Sequence, residues 1–307
     1  MYKKKGQVVV TKKIGVIGLG AMGFGIAKNL MNRGYDVMGY DINLQAREQF
    51  QMTGGKTTDS CIGAAQDADA VVFVVFNAEQ FHHVLFTEGA AQVMKTGSQV
   101  IVMSSIGKKA VEAAASELEA KGIDLLDVPM KGSVKDAGCG NLYLMVAASP
   151  KALKKADALL NSIGSNVCVV GDKPGMGQMV KTCVQTLFCL SCESACEIMA
   201  LAKAAGLDEK TVYEVLASTG AASEVFKTTA KLIGSRCFAG TGNPISILRK
   251  DMAVAMEISE DYNLSIPAVK GTAANITLAS DQYPDADIWA AALPVEKSAD
   301  IEIQMKL

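Results

Sequence analysis

KKIGVIGLGAMGFGIAKNLMNRGYDVMGYD, residues Lys12 to Asp41, is the stretch that decides the fold. Lys12 to Ile17 is a short β-rich run, Ala21 to Arg33 has helical periodicity, and Tyr35 to Tyr40 is β-rich again. Gly34 closes the helix as a C-terminal glycine should. The unit is therefore β-α-β, and its first turn, Gly18-Leu19-Gly20-Ala21-Met22-Gly23, carries the GxGxxG spacing directly after a strand and at the opening of a helix. In that setting each glycine has a physical task. Gly18 permits the tight turn, Gly20 lets the backbone approach a pyrophosphate, and Gly23 lets helix and strand pack closely, with phosphate at the positive helix end. Asp41 ends the second strand 18 residues after Gly23, where a carboxylate accepts hydrogen bonds from ribose hydroxyls. These features point to a dinucleotide, NAD in preference to NADP, because a carboxylate at Asp41 repels a 2′-phosphate. Arg47 is the nearest residue that could neutralise one.

Outward from this stretch the alternation continues. Ala70 to Val75, Gln99 to Met103, Ile123 to Leu126, Leu142 to Ala147 and Asn166 to Val169 read as strands, and Lys109 to Lys121 as a helix. Strands joined by helical crossovers imply a mostly parallel sheet covered on both faces. After Gly175 helical patterns take over, at Met179 to Ala205, Asp208 to Ser218, Val225 to Ile233, Ile247 to Tyr262 and Pro267 to Ser280. The expected architecture is an α/β Rossmann domain, doubly wound, over residues 1–174, followed by an all-α domain over 175–307. Residues 1–11 read as a loose lead-in, and the turn-rich Gly171 to Gly177 as the boundary.

Composition narrows the classes. A chain of 307 residues, half of them hydrophobic, can bury two cores. A net charge of −2 lacks the basic face that nucleic-acid binding needs. No secretory signal and no uninterrupted apolar run of membrane-spanning length is read, so the expectation is a cytoplasmic protein with no membrane partner. Of eight cysteines, Cys183, Cys189, Cys192 and Cys196 share one apolar helical segment. With no histidine or second CxxC pair nearby they read as small buried hydrophobes, and no metal site is expected.

Hydride transfer at a carbinol carbon leaves a proton to be moved, so a general acid or base is required. The two histidines, His82 and His83, are adjacent in a helix far in sequence from the segments expected to build the substrate side, and read as partly exposed residues. Four motifs in order remain: Gly18 to Leu30, Asp127 to Met145, Gly175-Met-Gly-Gln-Met-Val-Lys181, and Lys250-Asp251. Together they resemble the β-hydroxyacid dehydrogenases, a family with 6-phosphogluconate dehydrogenase-like domains that includes 3-hydroxyisobutyrate dehydrogenase, tartronate semialdehyde reductase and L-threonate dehydrogenase. The resemblance implies a cleft between the two domains, a catalytic lysine at Lys181 with Gln185 one helical turn on, and dimers or tetramers. A lysine in a partly dry cleft beside an oxidised nicotinamide is expected to have a lowered pKa. The resemblance places cofactor contacts at Phe76 and Asn77, which close the apolar run from Val71, at Ser105, and at Lys250. It places the substrate carboxylate at Lys131, Gly132 and Ser133, with a weaker warrant for Ser223.

Two positions depart from the family pattern. Lys131-Gly132-Ser133 stands where Ser-Gly-Gly is usual, and Gln185 where asparagine is more common. Lys131 either adds attraction for an anion or points to solvent. The expected activity is reversible oxidation of a three- or four-carbon 3-hydroxy acid, of the hydroxyisobutyrate, glycerate or threonate type. An NADP-dependent imine or semialdehyde reductase and a non-catalytic dinucleotide-binding module are the alternatives.

Overall fold

The computed structural model describes residues 12–305, so the proposed lead-in lies outside the described residues. The chain divides into two compact units, Met1–Lys181 and Thr182–Leu307.

The first unit is built on a nine-stranded sheet of β1 (Lys13–Ile17), β2 (Asp36–Tyr40), β3 (Lys56–Thr57), β4 (Ala70–Phe73), β5 (Gln99–Val102), β6 (Asp124–Asp127), β7 (Met130–Lys131), β8 (Leu142–Ala147) and β9 (Gly164–Gly171). The spatial order is β3-β2-β1-β4-β5-β6-β8-β7, with β9 paired to β8. From β3 to β6 every pairing is parallel. β8 then runs antiparallel to both β6 and β7. The chain leaves β1 in one direction toward β2 and β3, then crosses back to β4 on the other side of β1, which makes the β1/β4 crevice the topological switch point.

Strand periodicity explains why these runs are apolar throughout. Ala70 and Val72 of β4 join one core cluster with Ile14, Val16, Ile26 and Leu30, while Val71 and Phe73 join another with Ile17, Phe81, Val100 and Leu118. Successive side chains enter opposite layers, so both faces need apolar residues. Two substantial helices escaped the sequence reading. Leu44–Met52 is capped by Asn43, whose side chain accepts from the Gln45 N–H, and Pro150–Ile163 is capped by Ser149 with proline in its first turn.

A helix spanning Met176–Ala204 carries the chain into the second unit, which continues with helices Glu209–Ala217, Glu224–Gly234, Ile245–Asp261, Pro267–Gln282 and Ala292–Ala299. Among the described residues Met176–Ala204 is long and apolar enough to cross a membrane by length and composition alone, but Lys181, Glu193 and Glu197 interrupt it, so it is not an uninterrupted apolar run. Its side chains Cys189, Cys192, Cys196 and Met199 are core of the second unit, packed with Phe226, Ile233, Met252, Ile276 and Trp289. Burial pushes the Cys192 thiol up to about 12. Cys183 corrects the reading of four buried thiols, because it is exposed. Cys189, Cys192 and Cys196 fall on one helical face at spacings of three and four, and six residues of helix turn Cys183 away from that face. Also buried is Glu193, whose carboxylate accepts from Asn275 Nδ2 at 2.8 and 3.1 Å. Burial, opposed by that amide and reinforced by Glu197, raises its pKa to about 7.

Candidate active site

In a parallel sheet the loops after successive strands gather at one edge, and the sequence-nominated residues of the first unit other than Lys181 follow β1, β2, β4, β5 and β6 there. The glycine turn behaves as its spacing implied. Gly18 has φ of +96°, and a Cβ there would overlap the Val74 carbonyl; at Gly23 a Cβ would overlap the Gly18 carbonyl oxygen. Gly20 is extended, and a Cβ on it would meet nothing within 4 Å. It stands at the N-cap of helix Ala21–Asn32, which has no side-chain cap and no acidic residue in its first turn among the described residues. A turn braced by two glycines, open at the third and leading into an uncapped helix end fits a pyrophosphate. Leu19 is buried beneath the turn, Met22 packs against the same core, and Ala21 is exposed.

Asp41 is engaged within the chain itself. Its Oδ2 accepts from Leu19 N–H at 2.7 Å and its Oδ1 from Asn43 N–H at 2.8 Å, so the carboxylate also fixes the glycine turn to the end of β2. Arg47 is directed to the Thr58 carbonyl at 3.3 Å and lies over the Tyr40 ring. Phe76 is exposed and donates its N–H to Gln80 Oε1, while Asn77 caps helix Ala78–His82. Both histidines are exposed, His83 lying 3.2 Å from Glu88 and His82 tilted on Phe86.

The segment after β6 is brought against the nominated lysine. Lys181 Nζ donates to the Met130 carbonyl at 3.0 Å, immediately before the loop Lys131-Gly132-Ser133. Lys181 is half-buried, whereas Lys131 is exposed at the end of β7. Gly132 has φ of +148°, a backbone state that favours glycine. The Ser133 hydroxyl is engaged locally. It donates to Asp136 Oδ2 at 2.6 Å, accepts from the Asp136 N–H at 3.2 Å, and so forms a capping box on helix Val134–Cys139. This holds the Asp136 carboxyl below its ordinary value.

Beneath the loop lies a polar cluster that sequence reasoning missed. Asp127, fully buried at the end of β6, accepts from Gly175 N–H at 2.8 Å, Gln178 N–H at 3.0 Å and Gln178 Nε2 at 2.8 Å. Burial raises its pKa, and the donors from Gln178, Gly175 and Gly177 oppose that rise. Gln178 in turn holds the segment that carries Ser105. Its Oε1 accepts from Ile106 and Gly107 N–H at 2.9 and 3.1 Å, and its Nε2 donates to Ser104 O at 3.1 Å.

In the second unit, Gln185 Nε2 donates to Asp251 Oδ2 at 2.8 Å, and Lys250 lies 3.5 Å from Asp251 Oδ1. Ser223 caps helix Glu224–Gly234, its hydroxyl accepting from Phe226 N–H at 3.0 Å. Among the described residues no cluster of three or more His, Cys, Asp or Glu is placed to hold a metal.

A doubly wound sheet with an open glycine turn at its switch point and a carboxylate closing the second strand defines a dinucleotide-binding domain. Residues 13–171 match the family described as the NAD binding domain of 6-phosphogluconate dehydrogenase, and residues 175–294 the one described as NAD-binding of NADP-dependent 3-hydroxyisobutyrate dehydrogenase. The chain is 30% identical to the L-threonate dehydrogenase of Cupriavidus necator, covering 84% of this chain and 87% of that one. It is also 30% identical to the 2-(hydroxymethyl)glutarate dehydrogenase of Eubacterium barkeri, covering 83% and 85%. A crystal structure of a 3-hydroxyisobutyrate dehydrogenase from Salmonella typhimurium superposes with a TM-score of 0.79 at 29% identity, covering 92% and 99%. The chain belongs to the β-hydroxyacid dehydrogenase family and is an NAD(P)-binding dehydrogenase of a small hydroxy acid.

Proposed function

We propose that this enzyme reversibly oxidises a three- or four-carbon 3-hydroxy acid, of the threonate, glycerate or hydroxyisobutyrate type, with NAD as cofactor and Lys181 as the group that moves the hydroxyl proton. The observation that carries the reading is the Lys181 Nζ to Met130 O bond, which sets an ammonium beside the loop nominated for the substrate carboxylate. Gly18, Gly20, Gly23 and Asp41 would hold the dinucleotide, with Phe76, Asn77, Ser105 and Lys250 as further contacts. When bound, the nicotinamide accepts or supplies the hydride. Lys181 as the neutral amine takes the hydroxyl proton at Nζ as the hydride leaves, and as the ammonium gives it back to the alkoxide in the reverse direction, with Met130 O accepting from Nζ and orienting it. The carboxylate is held at residues 131–133, where exposed Lys131 adds attraction for the anion, and Gln185 and Ser223 are assigned to the substrate.

Three observations support NAD over NADP: the carboxylate of Asp41, its place at the end of β2, and an Arg47 turned to the Thr58 carbonyl. The kinship with L-threonate dehydrogenases supports a four-carbon polyhydroxy acid. The exposed Leu187 and Leu201 of the long helix support a homodimer or homotetramer.

The test is appearance of reduced nicotinamide with NAD or NADP across hydroxyisobutyrate, glycerate, threonate and erythronate. Lys181→Ala is expected to lower kcat by roughly a thousandfold, the scale of general acid-base catalysis, while NAD still binds. Retained turnover in that variant overturns the assignment of Lys181, and a strong preference for NADPH overturns that of the cofactor.

A further inference from the structure

We propose that Gln178 and Asp127 are positioning residues that lock the Ser104–Gly107 turn and the first turn of the lysine-bearing helix into one register, so that Ser105 and Lys181 face the same reacting carbon. The inference rests on the reading of Lys181 as the proton-transfer group.

The side-chain amide of Gln178 is buried and connected at every hydrogen-bonding position. Two donors go to Asp127 Oδ1 and Ser104 O, and two backbone N–H groups, of Ile106 and Gly107, reach its Oε1. An ionised carboxylate only accepts, so Asp127 fixes which way the amide points. With Nε2 held on Asp127, Oε1 must face the turn after β5. Reversing the amide would set two N–H donors against two more.

The same carboxylate governs both anchors of Lys181. Through Gly175 N–H and Gln178 N–H it supplies the cap that starts helix Met176–Ala204, and Lys181 lies three residues after Gln178, within one turn. Met130, whose carbonyl accepts from Lys181 Nζ, lies three residues after Asp127 along the chain. The connections close into a ring: Asp127, Met130, Lys181, Gln178 and Asp127 again. Gln178 joins that ring to the segment that carries Ser105. A displacement of either side by about 1 Å is enough to cost on the order of a hundredfold in rate.

Gln178→Glu keeps two acceptors for Ile106 and Gly107 but presents a carboxylate to Asp127. Gln178→Asn keeps the amide and shortens its reach by one methylene. In the full-length protein, with NAD and either L-threonate or 3-hydroxyisobutyrate, both variants are expected to lose about 10- to 100-fold in kcat and to shift KM for NAD by less than about threefold. In Gln178→Glu the loss relative to wild type should shrink as pH falls, because a proton shared between the two carboxyls restores the missing donor. A variant with native circular dichroism and wild-type kcat overturns the proposal, as does a Gln178→Glu deficit that does not change with pH. If Gln178→Glu does not fold, Gln178→Asn decides by its split between kcat and KM. Lys181→Ala measured alongside separates the failures. An active Lys181→Ala removes the underlying reading, whereas an inactive one beside wild-type Gln178 variants removes only the register.

Discussion

Two helix starts in the first unit were both nominated as places for an anion, and they are built oppositely. At Gly20 the helix opens with no side-chain cap and no acid in its first turn, and the N-cap residue leaves empty space beside its backbone. At Ser133 the helix opens on a capping box, with the Ser133 hydroxyl and the Asp136 carboxylate satisfying each other's backbone N–H groups. The first leaves its donors and its positive end to a ligand, and the second satisfies them internally. An anion-binding turn is therefore recognised by what it lacks, and serine before a helix is ambiguous until its third residue is read.

Substitutions can break or sharpen this contrast. Gly23→Ala should have the largest effect, because its methyl meets the Gly18 carbonyl, a backbone atom. Cost to folding of roughly 3 kcal/mol is expected, on the scale of overpacking, together with lost NAD binding, and thermal melting with ligand titration measures both. Gly20→Ala should leave melting within a degree or two, since nothing lies within 4 Å, while weakening NAD by about tenfold or more, equivalent to about 1.4 kcal/mol. If Gly20→Ala binds NAD as wild type does, the open turn is not where the pyrophosphate sits. Ser133→Ala should be the mildest, losing about 1 kcal/mol of helix capping, with KM for the acid rising a few-fold through disorder of the loop. A much larger KM effect with unchanged melting would mean that the hydroxyl leaves Asp136 to serve the substrate.

Legibility followed the same division between local and distant causes. The first β-α-β unit, the helical second half and the glycine turn could be read because their reasons lie within a few residues: period, a glycine at φ above zero, a carboxylate at a strand end. Helix Pro150–Ile163 has equally local causes, with Ser149 and Pro150 at its start and Ala152, Ala156, Leu159, Leu160 and Ile163 on its buried side. Other features were not local. The long helix begins at Met176, three residues before the periodic reading placed it, because the cap comes from Asp127, 48 residues earlier than Gly175. The antiparallel turn of β8 against β6 and β7 is a matter of pairing, which composition does not encode. The Gln178 cluster joins three separated segments, so a glutamine in a glycine-rich motif carried no local sign of its partners.

The buried Glu193 gives the second unit an acid-base character of its own. With its pKa raised from 4.5 to about 7, the carboxyl is ionised in the unfolded chain above pH 4.5 and still largely protonated in the folded one until neutrality. Folding between these values takes up a proton from solvent. The raised folded value fixes the sign: the contribution is complete below pH 4.5, declines across the interval, and is gone once pH has risen through 7, a change of up to about 3 kcal/mol. The heat of unfolding near pH 6 should accordingly depend on the ionisation enthalpy of the buffer, and Glu193→Gln should remove that dependence. Through this one residue the helical unit gives up stability as pH rises from about 4.5 toward 7.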